Sequence, residues 1–262
     1  MRFDDAFANS KYLADGKYFP SRWEQKAAVF REKTAARSRL GVPYGPLDRQ
    51  WFDLFLPEGQ PEGLVIFIHG GYWLACGPRD FSHLAEGALA RGWACAMPGY
   101  TLAPEATIPE MTAEIAAVLP VMAAEVAGPV AITGHSAGGQ LTARMACASV
   151  PLDPALVARI KRYLPISPLS DLRPLMETAM QANLKLTAES ARAESAALQP
   201  ARPGTRAHVW VGGAERPRFL DQARRLGNAW SCPVTVEPDL HHFNIIEGLE
   251  RPDSALMNVL LG

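Results

Sequence analysis

A serine stands at the centre of the pentapeptide Gly134–Gly138, which reads Gly-His-Ser-Ala-Gly. The G-x-S-x-G pattern is typical of a serine on a tight turn between a strand and a helix, where larger flanking residues would clash. The preceding PVAIT is typical of a buried strand, and the following AGGQLTARMA is typical of a helix. We therefore predict that Ser136 is a nucleophile toward a carbonyl carbon. An unreactive serine in a glycine-rich turn is the alternative.

A second glycine pair follows an earlier apolar run, in the segment IFIHGGYW. A nucleophilic serine needs backbone N–H groups that stabilise the oxyanion, from the residue after the serine and from a loop after an upstream strand. We predict that the backbone of Gly70, Gly71 and Ala137 forms this oxyanion hole. Tyr72 and Trp73 are expected to line the substrate pocket, with ordinary core packing as the alternative.

The nucleophile also requires a general base, and the chain contains six histidines. His242 is the predicted base, because it lies after the last predicted strand and before a C-terminal helix, where the order serine, acid, histidine places it. His241 is the alternative. The other four are assigned to non-catalytic positions: His69 to an anchor of the glycine loop, His83 to a surface helix, His135 to the serine turn and His208 to a strand.

A carboxylate must orient that base, and we predict that it is Glu215, in the loop after the strand pattern AHVWVGG. Asp171 in the segment SPLSDL, one predicted strand earlier, is the first alternative. Asp239 lies three residues before His242 and is the second alternative, although a turn residue is the simpler interpretation.

Short apolar segments that predict strands alternate with amphipathic segments that predict helices. The strand segments are WFDLFLP, which we interpret as an outer strand, GLVIFIHGG, GWACAMPGY, PVAITGHS, RYLPISP, RAHVWVGG and CPVTVEP. The helix segments are SRWEQKAAVFREKTAARSRL, RDFSHLAEGALARG, IPEMTAEIAAVLPVMAAEVAG, AGGQLTARMACASV and RPRFLDQARRLG, the last ending at Gly227. This alternation predicts an α/β fold, with a mostly parallel central sheet and helices on both faces. We expect one domain over 1–262, with an N-terminal helical segment at about 1–45 and a small helical cap at about 171–200.

The composition narrows the class of partner. A formal net charge of −1 gives the protein no strong overall attraction to nucleic acid or to an anionic membrane. No apolar run is long enough to span a bilayer. The four cysteines lie far apart, which favours reduced thiols over disulfides or a zinc site. We therefore expect a cytoplasmic protein with a small-molecule substrate, no metal and no cofactor. A homodimer remains open, because the sequence does not fix the oligomeric state.

Six segments together resemble the kynurenine formamidase (arylformamidase) branch of the α/β-hydrolases, which borders the esterases related to hormone-sensitive lipase. They are HGGYW, GYTLAPE, GHSAGGQL, SPLSDLRPL, PRFLDQARRL and HFNII. The resemblance implies an α/β-hydrolase fold with Ser136 as nucleophile, His242 as base and an acid where Glu215 stands. The chain differs from the family pattern in having glutamate instead of the usual aspartate at that position. It also differs in reading SPLSDL where the family tends to read S-G-x-x-D-L, which changes the wall below the cap.

These observations predict a cofactor-free serine hydrolase that cleaves a small ester or formamide through an acyl-enzyme, with carboxylesterase-like or arylformamidase-like activity. A binding protein that keeps the α/β-hydrolase fold without activity is the alternative. A metal-dependent hydrolase is disfavoured, because the sequence contains no H-x-H or H-E-x-x-H spacing.

Overall fold

The computed structural model describes residues 3–262, which are organised around an eight-stranded sheet. The strands are β1 (Ser38–Pro43), β2 (Trp51–Phe55), β3 (Leu64–Ile68), β4 (Ala94–Pro98), β5 (Val130–His135), β6 (Ile160–Ile166), β7 (Val209–Gly212) and β8 (Val234–Glu237). Their order across the sheet is β1-β2-β4-β3-β5-β6-β7-β8. Strands β3 to β8 pair in parallel, whereas β1 and β2 run antiparallel at one edge. The predicted mostly parallel sheet is confirmed.

Helices cover both faces of the sheet, as predicted. They are α1 (Phe19–Lys33), α2 (Glu86–Ala90), α3 (Ile108–Glu125), α4 (Ala137–Ala146), α5 (Pro154–Arg159), α6 (Gln181–Leu184), α7 (Ala188–Ala193), α8 (Pro217–Trp230) and α9 (Ala255–Leu261). The side chains of β3 alternate between two core clusters, because successive strand residues point to opposite faces. Ile66 and Ile68 pack with α3 and α4, whereas Val65 and Phe67 pack with α1, α2 and α9.

The described part of the N-terminal segment, residues 3–45, differs from the predicted helical segment. Helix α1 ends at Lys33, and the chain then forms β1, which pairs with β2 on the side away from β4. Strand β2 is therefore not the outer strand. The sequence pattern does not predict β1, because an edge strand needs no continuous apolar run. Its register is also interrupted between Arg39 and Val42, where Gly41 has a φ of 70°.

Several predicted helices have different bounds in the structure, and two of them differ in informative ways. Within RDFSHLAEGALARG only Glu86–Ala90 is α-helical; 3-10 turns precede it, and His83 is 3% exposed rather than on the surface. Helix α8 continues past Gly227 to Trp230. That glycine serves close packing instead of helix termination, because a β-carbon there would lie 2.2 Å from Cγ2 of Val234 on β8.

The segment 171–200 is helical, as predicted, and consists of α6, α7 and two 3-10 turns, Arg173–Glu177 and Ala196–Leu198. Its leucines Leu175 and Leu184 pack into the same core cluster as α3 and α4. An ion pair anchors it, with Nε of Arg144 on α4 lying 3.0 Å from Oε2 of Glu194. A role of this segment as a cap over a substrate stays a prediction.

Three further features bear on the class of protein. Cys76, Cys95, Cys147 and Cys232 are free thiols. Within residues 3–262, no group of three or more histidine, cysteine, aspartate or glutamate side chains is arranged to hold a metal ion. None of the helices in this described part of the chain has the length and apolar character needed to span a bilayer.

Candidate active site

The residues singled out by the sequence follow the carboxyl ends of neighbouring parallel strands. Gly70 follows β3, Ser136 follows β5, Glu215 follows β7 and His242 follows β8. The carboxyl ends of parallel strands lie at one edge of the sheet, where ligands bind in open α/β folds. The topology therefore gathers segments that are far apart in the chain at one edge.

Ser136 occupies a strained turn between β5 and α4. Its φ of 57° and ψ of −114° lie in a region that residues with a β-carbon rarely adopt. The turn leaves no room for side chains on either side: a β-carbon at Gly134 would lie 2.5 Å from the Gly138 carbonyl oxygen, and one at Gly138 would lie 2.0 Å from that of Ile68. Both glycines of the G-x-S-x-G pattern are thus sterically required.

Backbone hydrogen bonds fix the serine at the start of α4. The N–H of Ser136 donates to the carbonyl oxygen of Ile166 at 2.9 Å, and the N–H of Gln140 donates to the carbonyl oxygen of Ser136 at 3.0 Å. Helix α4 is buried along its whole length, and Ser136 itself is 3% exposed. Because the positive end of the helix dipole lies at this turn, the turn favours negative charge.

Glu215 and His242 form a buried hydrogen-bonded pair. Oε2 of Glu215 lies 2.7 Å from Nδ1 of His242, and both side chains are almost fully enclosed. The two loops are also joined by their backbones, since the N–H of Ala214 donates to the carbonyl oxygen of Leu240 at 2.9 Å. A carboxylate accepting from Nδ1–H fixes the imidazole tautomer in which Nε2 can accept a proton.

The ring of His242 packs beside the serine turn. Its centroid lies 4.6 Å from the ring of His135, the residue before Ser136, and 4.3 Å from the ring of Phe219. Burial lowers the pKa of His135 well below its ordinary value. His135 is therefore neutral, and it places no positive charge beside His242.

The alternative acids and the alternative base lie in other environments. Asp171 binds Arg173 through contacts of 3.0 and 2.8 Å; although burial acts to raise the pKa of its carboxyl, the hydrogen bonds and charge of Arg173 lower it overall. Asp239 has a φ of 61° and is exposed. Nδ1 of His241 accepts from the Phe243 N–H at 3.2 Å, and its ring packs 5.2 Å from that of Phe19. The carboxylate in contact with His242 is that of Glu215.

The glycine pair after β3 brings backbone against the serine turn. A β-carbon at Gly70 would lie 3.2 Å from Cβ of Ser136 and 2.8 Å from the carbonyl oxygen of His135. Gly71 has a φ of 107°, and a β-carbon there would lie 2.2 Å from the carbonyl oxygen of Ala75. Side chains are excluded at both positions, so the loop presents bare peptide groups to the turn.

His69 anchors this loop from below. It is fully buried, its Nδ1 lies 2.8 Å from the Gly70 carbonyl oxygen, and its ring stacks 4.4 Å from that of Tyr100. The hydroxyl of Tyr100 donates to the His69 carbonyl oxygen at 2.9 Å. Burial lowers the pKa of His69 to about 3, so the ring is neutral. This placement agrees with the predicted structural role.

Trp73 is enclosed by other protein groups, whereas Tyr72 is partly buried. Trp73 is 0% exposed, and its Nε1–H donates to Oε1 of Gln140 on α4 at 3.2 Å. The hydroxyl of Tyr72 donates to the carbonyl oxygen of Phe7 at 2.5 Å and accepts from Nδ2 of Asn9 at 3.2 Å. In this conformation both side chains contact protein, and their expected contact with a substrate stays a prediction.

The residues that the sequence did not single out are Phe7, Ser167 and Phe219. The 2% exposed Phe7 packs edge-on against Phe219, with ring centroids 6.1 Å apart, and Phe219 in turn packs on His242. Ser167 hydrogen-bonds to Glu215 at 2.5 Å. No motif marks Phe7. Phe219 lies in the segment PRFLDQARRL, and Ser167 begins the segment SPLSDL at the end of a predicted strand next to the serine strand, but neither segment by itself indicates these contacts.

Comparison with known proteins gives consistent results. A family model described as alpha/beta hydrolase fold matches residues 65–236, a range that includes Ser136 and Glu215 and ends before His242. The kynurenine formamidase of Salmo salar is 28% identical, over 90% of this chain and 85% of that protein, and that of Danio rerio is 26% identical, over 96% of both.

The chain is also similar to solved structures. A crystal structure from Silicibacter sp. TM1040, of a protein provisionally called a thioesterase, is 48% identical over the full length of both chains, with a TM-score of 0.98. An esterase from Pyrobaculum calidifontis has a TM-score of 0.67 at 17% identity, covering 93% of this chain and 91% of that one. The second likeness shows the shared fold.

Proposed function

Because the chain belongs to the alpha/beta-hydrolase fold family, we propose that it is a serine hydrolase that cleaves a small ester or formamide through an acyl-enzyme. The observation that carries the proposal is the hydrogen-bonded pair of Glu215 and His242, whose imidazole packs beside the strained serine turn. A nucleophile, a base and a carboxylate that orients the base are the groups that acyl transfer requires.

In the first half of the reaction, Oγ of Ser136 attacks the carbonyl carbon while Nε2 of His242 takes the hydroxyl proton. The Glu215 carboxylate, 2.7 Å from Nδ1, stabilises the imidazolium that forms. The backbone N–H of Ala137, together with those of Gly70 and Gly71, stabilises the negative charge on the carbonyl oxygen. Collapse of the tetrahedral intermediate expels the alcohol or amine, which receives its proton from His242.

In the second half, water enters in place of the leaving group, and His242 accepts its proton as it attacks the acyl carbon. The second intermediate collapses to the carboxylic acid and returns the proton to Oγ of Ser136. The acyl group passes first to Ser136 and then to water, and the same three side chains serve both halves of the cycle.

The enclosure of the site supports a small substrate. Ser136 and His242 are each 3% exposed, so little of the site's own surface is open in this conformation, which favours a compact acyl group. Similarity to kynurenine formamidases supports a formamide, and the 48% identity to the protein provisionally called a thioesterase supports a thioester as a second bond type. The same three side chains can act on each, since the carbonyl carbon is the electrophile in every case.

Labelling with a fluorophosphonate, combined with a substrate panel, tests the proposal. We expect one equivalent of probe on the peptide that contains Ser136 and, after labelling, complete loss of turnover. The panel contains short-chain p-nitrophenyl esters, N-formylkynurenine and a short acyl thioester, so the largest kcat/KM identifies the bond type. Heat-unfolded protein is the control, because it should not be labelled. Absence of both labelling and turnover would favour the alternative of an inactive binding protein.

Substitution of Gly71 by alanine tests the proposed oxyanion loop. The new β-carbon would overlap the carbonyl group of Ala75, so the loop must move away from the serine turn. We expect kcat to fall by about 10²- to 10³-fold, which is the usual effect of losing one oxyanion donor. Gly59→Ala is the matched control, because Gly59 also has a positive φ, 82°, but meets no atom within 4 Å. Equal kcat values for the two variants would contradict this role of the loop.

A further inference from the structure

Ser167 lies at the end of β6 in a constrained position. The residue is fully buried, and its φ of 47° lies in the left-handed region that residues with a β-carbon seldom occupy. Its N–H donates to the carbonyl oxygen of Trp210 on β7 at 2.7 Å, which fixes the backbone. A side chain held in this way has a defined direction.

That direction brings its hydroxyl to Glu215. Oγ of Ser167 donates to Oε1 of Glu215 at 2.5 Å, and the N–H of Gly212 donates to the same oxygen at 2.9 Å. The other oxygen, Oε2, accepts from His242. The two carboxylate oxygens therefore have separate tasks: Oε1 is held by β6 and β7, while Oε2 binds the imidazole.

A glutamate needs this second attachment more than an aspartate would. Its side chain has one more rotatable bond, so a single contact with His242 leaves more conformations to be restricted. Two donors on Oε1 select the conformation in which Oε2 faces Nδ1.

The same turn also contacts the proposed nucleophile. The carbonyl oxygen of Ile166 accepts from the Ser136 N–H at 2.9 Å, and the hydroxyl of the next residue, Ser167, donates to Glu215. We propose that Ser167 is a positioning residue for hydrolysis, whose hydroxyl holds Glu215 in the conformation that orients His242. This inference rests on the proposed function and adds a fourth side chain to it.

Ser167→Ala should lower kcat by about 10- to 100-fold with little change in KM, because small misplacements of catalytic groups act mainly on the transition state. Ser170→Ala is the matched control. Ser170 is equally buried and lies three residues further on, but its hydroxyl donates to the backbone oxygen of Gln222 at 2.6 Å. We expect both variants to lower the melting temperature and only Ser167→Ala to lower kcat.

A double-mutant cycle with Glu215→Ala separates positioning from a general structural defect. If Ser167 acts through the carboxylate, Ser167→Ala should cause no further loss of single-turnover rate once that carboxylate is gone. An equal loss in both backgrounds, or an unchanged kcat in the single variant, would overturn the inference. Either result would leave the proposed function standing as long as Glu215→Ala itself lowers kcat. A Glu215→Ala variant with full activity would instead reject the assignment of the acid.

Discussion

Ser136→Ala is expected to lower kcat by about four to six orders of magnitude, to the residual rate that substrate binding and oxyanion stabilisation alone provide. Without Oγ no acyl-enzyme can form, and neither His242 nor the backbone donors can replace the nucleophile. The measurement is the rate on whichever substrate of the panel turns over fastest, together with the loss of fluorophosphonate labelling.

The fold of this variant should be unchanged, which makes the result interpretable. Alanine keeps the β-carbon, so the strained backbone conformation, with φ of 57° and ψ of −114°, has a similar energetic cost in both proteins. The described hydrogen bonds of Ser136 at this turn use its backbone N–H and carbonyl group, and the variant retains both. We expect the same melting temperature to within about 2 °C. Retention of most of the hydrolysis by a folded Ser136→Ala protein would reject the mechanism.

Glu215→Gln is expected to lower kcat by about 10⁴-fold, the effect seen when a neutral amide replaces the carboxylate of a catalytic triad. The amide matches the carboxylate in size but cannot stabilise an imidazolium, and its NH₂ group opposes the required tautomer of His242. The measurement is kcat as a function of pH. The pH profile distinguishes a shifted pKa of the base from a loss of rate at every pH.

Asp171→Asn is the matched control for this substitution. It also replaces a carboxylate by its amide, but Asp171 binds Arg173 and not His242. Because Asp171 is itself 4% exposed and accepts several hydrogen bonds from Arg173, this variant should lose some stability, which its melting temperature measures. We expect kcat to be unaffected. A larger loss in Asp171→Asn than in Glu215→Gln would move the orienting acid to the loop after β6.

The central strands of the fold were predictable because their sequences record burial on both faces. Segments such as Leu64–Ile68 are continuously apolar, and every residue of this strand is buried. Strand β1 was not predictable, since its residues are partly exposed and its pairing depends on contacts with β2 that no local pattern encodes. Helix ends were difficult to predict for a related reason. Glycine is typical of helix C-termini, but Gly227 lies inside α8 and permits close packing against Val234.

The candidate site shows the same division. Ser136 and the glycine loop stand at strand ends within recognisable motifs, and the sequence therefore predicted their common location. The sequence could only rank Glu215, Asp171 and Asp239 as candidates for the orienting acid, because the choice depends on which carboxylate reaches the imidazole. Contacts made by Phe7, Ser167 and Phe219 depend on side-chain directions and on pairings across the chain, which composition and periodicity do not contain.

The packing of Phe7 on Phe219, and of Phe219 on His242, has a consequence for how the protein folds. The serine turn belongs to the middle of the chain, whereas the groups around the imidazole come from its beginning and its last quarter. Contacts of such long sequence separation require closure of a long loop, which is entropically costly, so we expect them to form after the local helices. During synthesis the nucleophile leaves the ribosome well before the histidine, so the chain passes through a stage that contains Ser136 but no complete site. We therefore expect catalytic competence to appear only when the last quarter of the chain, with β8 and His242, has joined the sheet.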